Sequence, residues 1–259
     1  MAISKDKGSK DRFGYEWDKY SEIIQDYEEQ FLKWVFPLQP KDFKGKRILD
    51  AGCGIGRNSY WPLKYGAKEV VSFDYDPRTV NVAKKNLSGF KNSKVSFNSV
   101  YDIAYKNEFD LAFSIGVIHH LEFPKLAVEK LTQATKKGGK VLIWVYGYES
   151  NEWIVRYINP IRKITSKLPV SISHAIAYLF SAPLYVYLKV FNPQHKYLQQ
   201  IRNFKFWHVH SIVFDQLIPK IANYWKKDEA LALFNKDSFE KIEAHRVNNN
   251  SWTIIGTKK

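Results

Sequence analysis

RILDAGCGIGRN, Arg47 to Asn58, is the stretch on which the reading of this chain turns. An apolar run ends in an acid, Asp50, and three glycines follow at alternate positions: Gly52, Gly54 and Gly56. Glycines between a strand and a helix let backbone approach a ligand closely and turn the helix's first N–H groups toward it. A dinucleotide-binding fingerprint wants a small residue where Arg57 stands. That weakens the dinucleotide reading, and the loop's surroundings have to say which nucleotide it cradles.

Outward from the loop, Lys46 to Gly147 alternates strand and helix. KRILD, EVVSFDYD, KVSFNSV, FDLAFSIG and KVLIWVYG read as five strands. Helical stretches separate them, with Pro77 at a helix start and Lys136, Lys137 and Gly138 as the ending of the helix that opens near Leu121. Apolar strands alternating with helices predict βαβ units and a parallel sheet covered on both faces. The rhythm breaks after Gly147 and resumes near Lys226, where KKDEALALFNK reads as a helix and FEKIEAHRV and SWTIIGTK as two strands joined by NNNS. Ahead of the core, WDKYSEIIQDYEEQFLKWVF predicts an aromatic-rich amphipathic helix. Residues 1–45 then form a tail and cap, 46–147 with 226–259 the core, and 148–225 an inserted substrate-binding lid.

Two acids sharpen the loop. Asp50 lies two residues before the first glycine, and Asp74 ends the second strand, placed to accept ribose hydroxyls as acids there do in doubly wound folds. With DAGCGIG (50–56), VVSFDYDP (70–77), FNSVYD (97–102), FDLAFSIGVIHHL (109–121) and KKGGKVLIWVY (136–146), the chain resembles class I S-adenosylmethionine-dependent methyltransferases. Its core looks like the methyltransferase-11 type that acts on small molecules. The resemblance implies a doubly wound, seven-stranded Rossmann-like sheet with an antiparallel last strand, here with a helical insertion after strand five. It also implies S-adenosylmethionine as cofactor and assigns roles by position. Asp50 and the backbone of Gly52, Cys53, Gly54 and Gly56 face the methionine end. Asp74 holds the ribose, with Tyr75 against the adenine. Ser99, Val100 and Tyr101 flank the adenine, although many members carry an acid where Ser99 stands. Ser114 and Ile115 line the floor beneath the sulfonium.

Methyl transfer from a sulfonium needs alignment and exclusion of water; a general base is needed only when the acceptor must lose a proton. His119 and His120, after strand four, are candidate bases on the edge where donor and acceptor meet, with Tyr146 beside them as a substrate-side residue. A second cluster, His208, His210 and Asp215, lies in the insertion, where an extended segment would put both histidines on one side. Tyr15, Trp17 and Tyr20 resemble an aromatic lead-in that closes over the cofactor in some small-molecule enzymes. An adjacent histidine pair is too little for a metal, and none is assigned.

The formal charge is +14, from 40 basic and 26 acidic residues, which attracts polyanions or simply solvates the surface. One cysteine excludes an intramolecular disulfide framework and, with a polar start, fits a cytoplasmic chain. Leu168 to Leu188 carries no formal charge over 21 positions. A membrane crossing there would strand residues 226–258 away from the sheet they complete, so the run reads as a lid helix or an element at a membrane interface, flanked by basic residues that suit anionic headgroups. The expected acceptor is a small molecule: a sugar, a glycan precursor, or a lipid- or isoprenoid-linked compound. Nucleic acid is not favoured, because no separate RNA-binding module is recognisable. An RNA methyltransferase and a non-catalytic cofactor-binding module are the alternatives. The sequence is silent on oligomeric state.

Overall fold

The computed structural model describes residue 23, residues 27–194 and residues 196–259. Tyr15, Trp17 and Tyr20 lie outside the described residues.

Seven strands form one sheet: β1 (Arg47–Ala51), β2 (Glu69–Asp74), β3 (Ser93–Phe97), β4 (Phe109–Ile115), β5 (Thr135–Tyr146), β6 (Phe239–Val247) and β7 (Ser251–Lys258), in the order β3-β2-β1-β4-β5-β7-β6. β1 to β5 pair in parallel, and β7 runs antiparallel to both β5 and β6. Because side chains alternate across a strand, neighbours feed opposite layers. Ile48 packs with Phe31, Trp34 and Trp61 on one face; Leu49 and Ala51 pack with Ala127, Val128 and Leu131 on the other. The faces are covered by α1 (Tyr27–Val35), α2 (Arg57–Lys64), α3 (Pro77–Asn86), α4 (Pro124–Ala134) and the short α9 (Lys227–Leu231). Burial on both sides is why β1 and β4 read as mainly apolar runs rather than alternating ones.

One boundary moves. The sequence places Lys136–Gly138 at a helix end, whereas α4 stops at Ala134 and β5 begins at Thr135. Thr135 ties the junction by donating its Oγ1 hydrogen to the Leu131 carbonyl, 2.8 Å away. Gly139 then lets the strand pass the Asp110 carbonyl, which an added Cβ would approach to 3.1 Å.

Residues 148–225 hold a helical segment from Ile154 to Ile158 followed by α5 (Asn159–Thr165), α6 (Val170–Val190), α7 (Lys196–Arg202) and α8 (Phe206–Leu217). α6 packs on α8 around Ala177, Phe214, Leu217 and Ile218 at one end and Leu188, Ile201 and Val209 at the other. The segment returns to the sheet at Trp225, whose N–H donates to the Tyr146 carbonyl at 3.1 Å while Tyr148 N–H donates to the Trp225 carbonyl at 2.9 Å.

Candidate functional site

The strand order reverses direction of growth between β1 and β4, and a crevice at the carboxyl ends of such strands is where doubly wound folds bind ligands. Asp50 closes the bottom of this crevice. It is buried, its Oδ2 accepts the Ser59 hydroxyl at 2.6 Å, and Ser59 Oγ lies 2.7 Å from Ser72 Oγ. Its Oδ1 is buried with no hydrogen-bond partner. Burial, with the Asp74 charge adding to it and Ser59 opposing it, pushes the Asp50 carboxyl up to about 7. A buried carboxylate oxygen left open in this way is suited to a cationic donor.

The glycine loop turns above it. Gly52, Gly54 and Gly56 have φ of +79°, +53° and +83°. A Cβ on Gly52 would come within 2.4 Å of Val117 Cγ2, and one on Gly56 within 3.0 Å of Leu87 Cδ1. Gly52→Ala is therefore expected to lose about 2–4 kcal/mol, combining left-handed strain with overpacking. Gly45→Ala, where φ is +70° but nothing lies within 4 Å, should lose only the strain, ~1–2 kcal/mol. Thermal unfolding of the two variants checks the difference.

Asp74 pins the loop: its Oδ2 accepts Gly54 N–H at 2.9 Å, and its Oδ1 accepts Asp76 N–H at 3.0 Å and Thr79 Oγ1 at 3.1 Å. Burial raises its pKa and these hydrogen bonds oppose the rise. Tyr75 stacks on Phe97 at 5.2 Å, a flat platform beside Asp74 that the sequence reading missed on the Phe97 side. Ser99 caps the turn that follows β3, accepting Tyr101 N–H at 3.3 Å, so its hydroxyl has a structural duty. Val100 is buried, and Tyr101 is half-buried with its hydroxyl accepting Phe123 N–H at 3.1 Å. Ser114 is buried and donates to the Ala51 carbonyl at 2.8 Å; Ile115 is buried beside it in sequence. Cys53 is a buried free thiol whose pKa is pushed well up by burial and then by Asp50 and Asp74, leaving a poor nucleophile.

Arg57, which weakens the dinucleotide reading, has a positive function. Its guanidinium lies 4.7 Å from the Tyr27 ring and 5.1 Å from the Trp34 ring, holding α1 against the start of α2. Trp34 continues the aromatic layer to Trp144 at 4.9 Å.

Beyond β4 the rings gather. His119 stacks on Tyr146 at 3.7 Å, and Tyr146 stacks on Tyr224 at 5.4 Å. His119 is fully buried with neither ring nitrogen hydrogen-bonded. Burial first, then the neighbouring His120 and Arg162, hold its pKa well below the usual histidine range. His120 Nδ1 lies 2.7 Å from the Ile221 carbonyl; burial lowers this histidine to about 4, that carbonyl opposing and Arg162 adding to the fall. Both rings are neutral at pH 7, and a base this weak is poorly matched to proton abstraction near neutrality.

The insertion's cluster is arranged differently from the expectation. His208, His210 and Asp215 sit on helix α8 rather than an extended segment, so His208 and His210 point about 160° apart around its axis. His210 is buried between α6 and α8, its Nδ1 2.8 Å from Ser181 Oγ and its Nε2 3.3 Å from His174 Nε2. His208 packs edge-on against Phe204. The structure thus brings His119, His120 and Tyr146 together and sets His210 among the insertion's own helices.

Sequence reasoning also missed Arg162 and Tyr224. Arg162 is buried and donates to Gln216 O at 2.6 Å, Asn159 Oδ1 at 2.6 Å, and Gln216 Oε1 and Tyr224 Oη, each at 3.1 Å. It fastens the insertion to the ring wall. Neither residue lies in a recognisable motif, so no sequence signal could have found them.

The open carboxylate, the three left-handed glycines and the Asp74–Tyr75–Phe97 corner fit the methionine, backbone-approach and nucleoside demands of S-adenosylmethionine. Residues 49–143 match the methyltransferase domain family. The chain carries a class I S-adenosylmethionine-dependent methyltransferase domain, and S-adenosylmethionine is its cofactor. The relatives are varied. A tRNA U34 carboxymethyltransferase of Helicobacter hepaticus is 28% identical over 137 residues, covering 49% of this chain and 43% of the relative. Phosphoethanolamine N-methyltransferase 2 of Caenorhabditis elegans is 32% identical over 110 residues, covering 41% and 25%. This chain thus spans less than half the length of either relative. The crystal structure of the PH0226 protein from Pyrococcus horikoshii shares the fold at 18% identity and a TM-score of 0.57, covering 91% of this chain and 92% of that one.

These relatives correct one expectation. A small-molecule partner with nucleic acid disfavoured does not stand beside several relatives named as tRNA carboxymethyltransferases. A missing accessory module does not exclude RNA, because charge and stacking rings on a core domain can meet RNA without one.

Proposed function

We propose that this protein transfers the methyl group of S-adenosylmethionine to RNA, onto a base presented at the half-buried Tyr146 and Tyr224, with His119 buried behind them. The observation that carries the reading is that wall: stacked rings just after β4, where Val117 packs against Gly52 of the glycine loop. Flat π-faces beside a reacting centre suit a base taken out of its stack. The charge of +14 and the tRNA-modifying relatives support the same acceptor.

The cofactor supplies an electrophilic methyl group. The chain's own residues do the rest. Asp50 meets the donor's cation, Asp74 holds hydroxyls, and the loop glycines allow backbone contact. The neutral His119 and His120 rings shape and dry the acceptor side without taking a proton, which suits an acceptor atom that attacks through its own lone pair. Residues 148–225 act as the lid, held to the core through Arg162 and Tyr224.

Labelled S-adenosylmethionine offered with bulk tRNA, with ribosomal RNA and with polar lipid extract in separate reactions is the test. Label should enter an RNA fraction, be released by ribonuclease, and fall steeply as salt rises. Calorimetry that registers cofactor binding while every RNA fraction stays unlabelled would sink the RNA reading.

A further inference from the structure

We propose that the insertion docks this protein on an anionic lipid surface through the outward face of α6. The helix is built inside out for a water-soluble lid. Ser173, His174 and Ser181 face inward: Ser173 donates to the Thr165 carbonyl at 2.8 Å, Ser181 meets His210, and His210 meets His174. Its outward stripe is apolar at helical spacing, with Ile172 47%, Leu179 72%, Val186 59% and Val190 67% exposed. An ordinary surface helix shows the reverse order, and a run of this kind is an interaction surface.

Charge names the partner. Between Glu152 and Asp215 the sequence holds eight Lys or Arg and not one Asp or Glu. Arg156, Lys163, Lys167 and Lys205 are exposed, and the same insertion exposes Trp153, Tyr157 and Trp207, ring types that settle at the headgroup level. An apolar stripe within an acid-free basic segment matches acyl chains below and anionic headgroups around. Nucleic acid would match the charge but has no use for Ile172, Leu179, Val186 and Val190. A second copy would bring the same positive segment against itself.

The helix is long and apolar enough to cross a bilayer. It lies along the surface instead, because β5 before it and β6 and β7 after it belong to one sheet. The proposal concerns where the enzyme sits and holds whichever acceptor it methylates.

The test is sedimentation of the full chain with phosphatidylcholine vesicles, with and without phosphatidylglycerol, alongside L179E/V186E and K163E/K167E double variants. Both pairs are exposed, and calorimetry with S-adenosylmethionine confirms that the donor core is intact. Wild type should pellet with the anionic vesicles, and each double variant should lower the bound fraction about tenfold. Equal recovery in solution with both vesicle types overturns the proposal. So does lipid binding that L179E/V186E leaves unchanged, which would make the contact purely electrostatic and point to RNA. A wild type that light scattering finds dimeric and lipid-free, with L179E/V186E monomeric, assigns the stripe to a second copy and overturns it equally.

Discussion

Asp50→Asn should weaken S-adenosylmethionine binding by about 10–100-fold at pH 8, the range expected when a charge-assisted hydrogen bond becomes a neutral one. Asparagine keeps the shape and can still accept from Ser59, so the loss isolates the charge at Oδ1, the oxygen with no partner inside the protein. The pH dependence has a definite sign. The free protein holds this carboxyl at about 7 rather than near 4, so between those values the folded state carries a proton that the unfolded state has given up. Asp50 therefore lowers the stability of the cofactor-free protein as pH rises toward 7. The cation of the donor favours the ionised form, so cofactor affinity should rise with pH up to about 7 and then level. In the asparagine variant both trends should flatten, and thermal stability without cofactor should be equal to or above wild type at pH 8. Calorimetry from pH 5.5 to 8.5 measures the first and thermal unfolding the second. Affinity in the variant that still climbs toward pH 7 would move the titration to another group.

Arg162→Met should be nearly silent at the donor loop and severe at the acceptor side. Methionine fills much of the volume but leaves Gln216 O, Gln216 Oε1, Asn159 Oδ1 and Tyr224 Oη without their shared donor. These acceptors are half-buried, and Gln216 Oε1 keeps the Tyr224 hydroxyl at 3.3 Å, so the loss is about 2–3 kcal/mol, local to the insertion and its seam with the wall. Limited proteolysis should cut within residues 148–225 while S-adenosylmethionine affinity changes less than about threefold. Methyl transfer should fall at least tenfold, because Tyr224 loses the anchor that holds it beside Tyr146. The removal of Arg162's charge should also raise the pKa of His120, because that cation contributes to its lowering. Nuclear magnetic resonance of the imidazole would detect this.

The glycine loop, its acids and the strands around it were legible because their signals are local. Asp50, Gly52, Gly54 and Gly56 are four residues of one turn, and the strand runs of β1, β2 and β4 announce burial on both faces. The insertion depends on which elements meet. The polar residues of α6 are regularly spaced, but nothing in the spacing says that they face α8 and leave the apolar side outward. His208 and His210 look paired in a strand and diverge on a helix, and only the packing of α8 against α6 decides between the two. The early start of β5 was hidden for a related reason. Lys136, Lys137 and Gly138 suit a helix ending by composition, while the crowding of Gly139 against the Asp110 carbonyl is a contact between distant positions. Arg57 shows the opposite case. It was visible as a misfit in one motif, and its partners on α1 explain why a large cation is useful there.

The position of β7 fixes an order of assembly. β6 touches the sheet only through β7, yet β6 precedes β7 in the chain. During synthesis β6 emerges with no neighbour to receive it, and β5 remains an open edge until Ser251–Lys258 arrives to fill the gap between them. The basic stretch between Glu152 and Asp215 has by then already left the ribosome. Its helices can meet their surroundings while the catalytic sheet is still incomplete, so any search for the compartment starts before there is an enzyme to place.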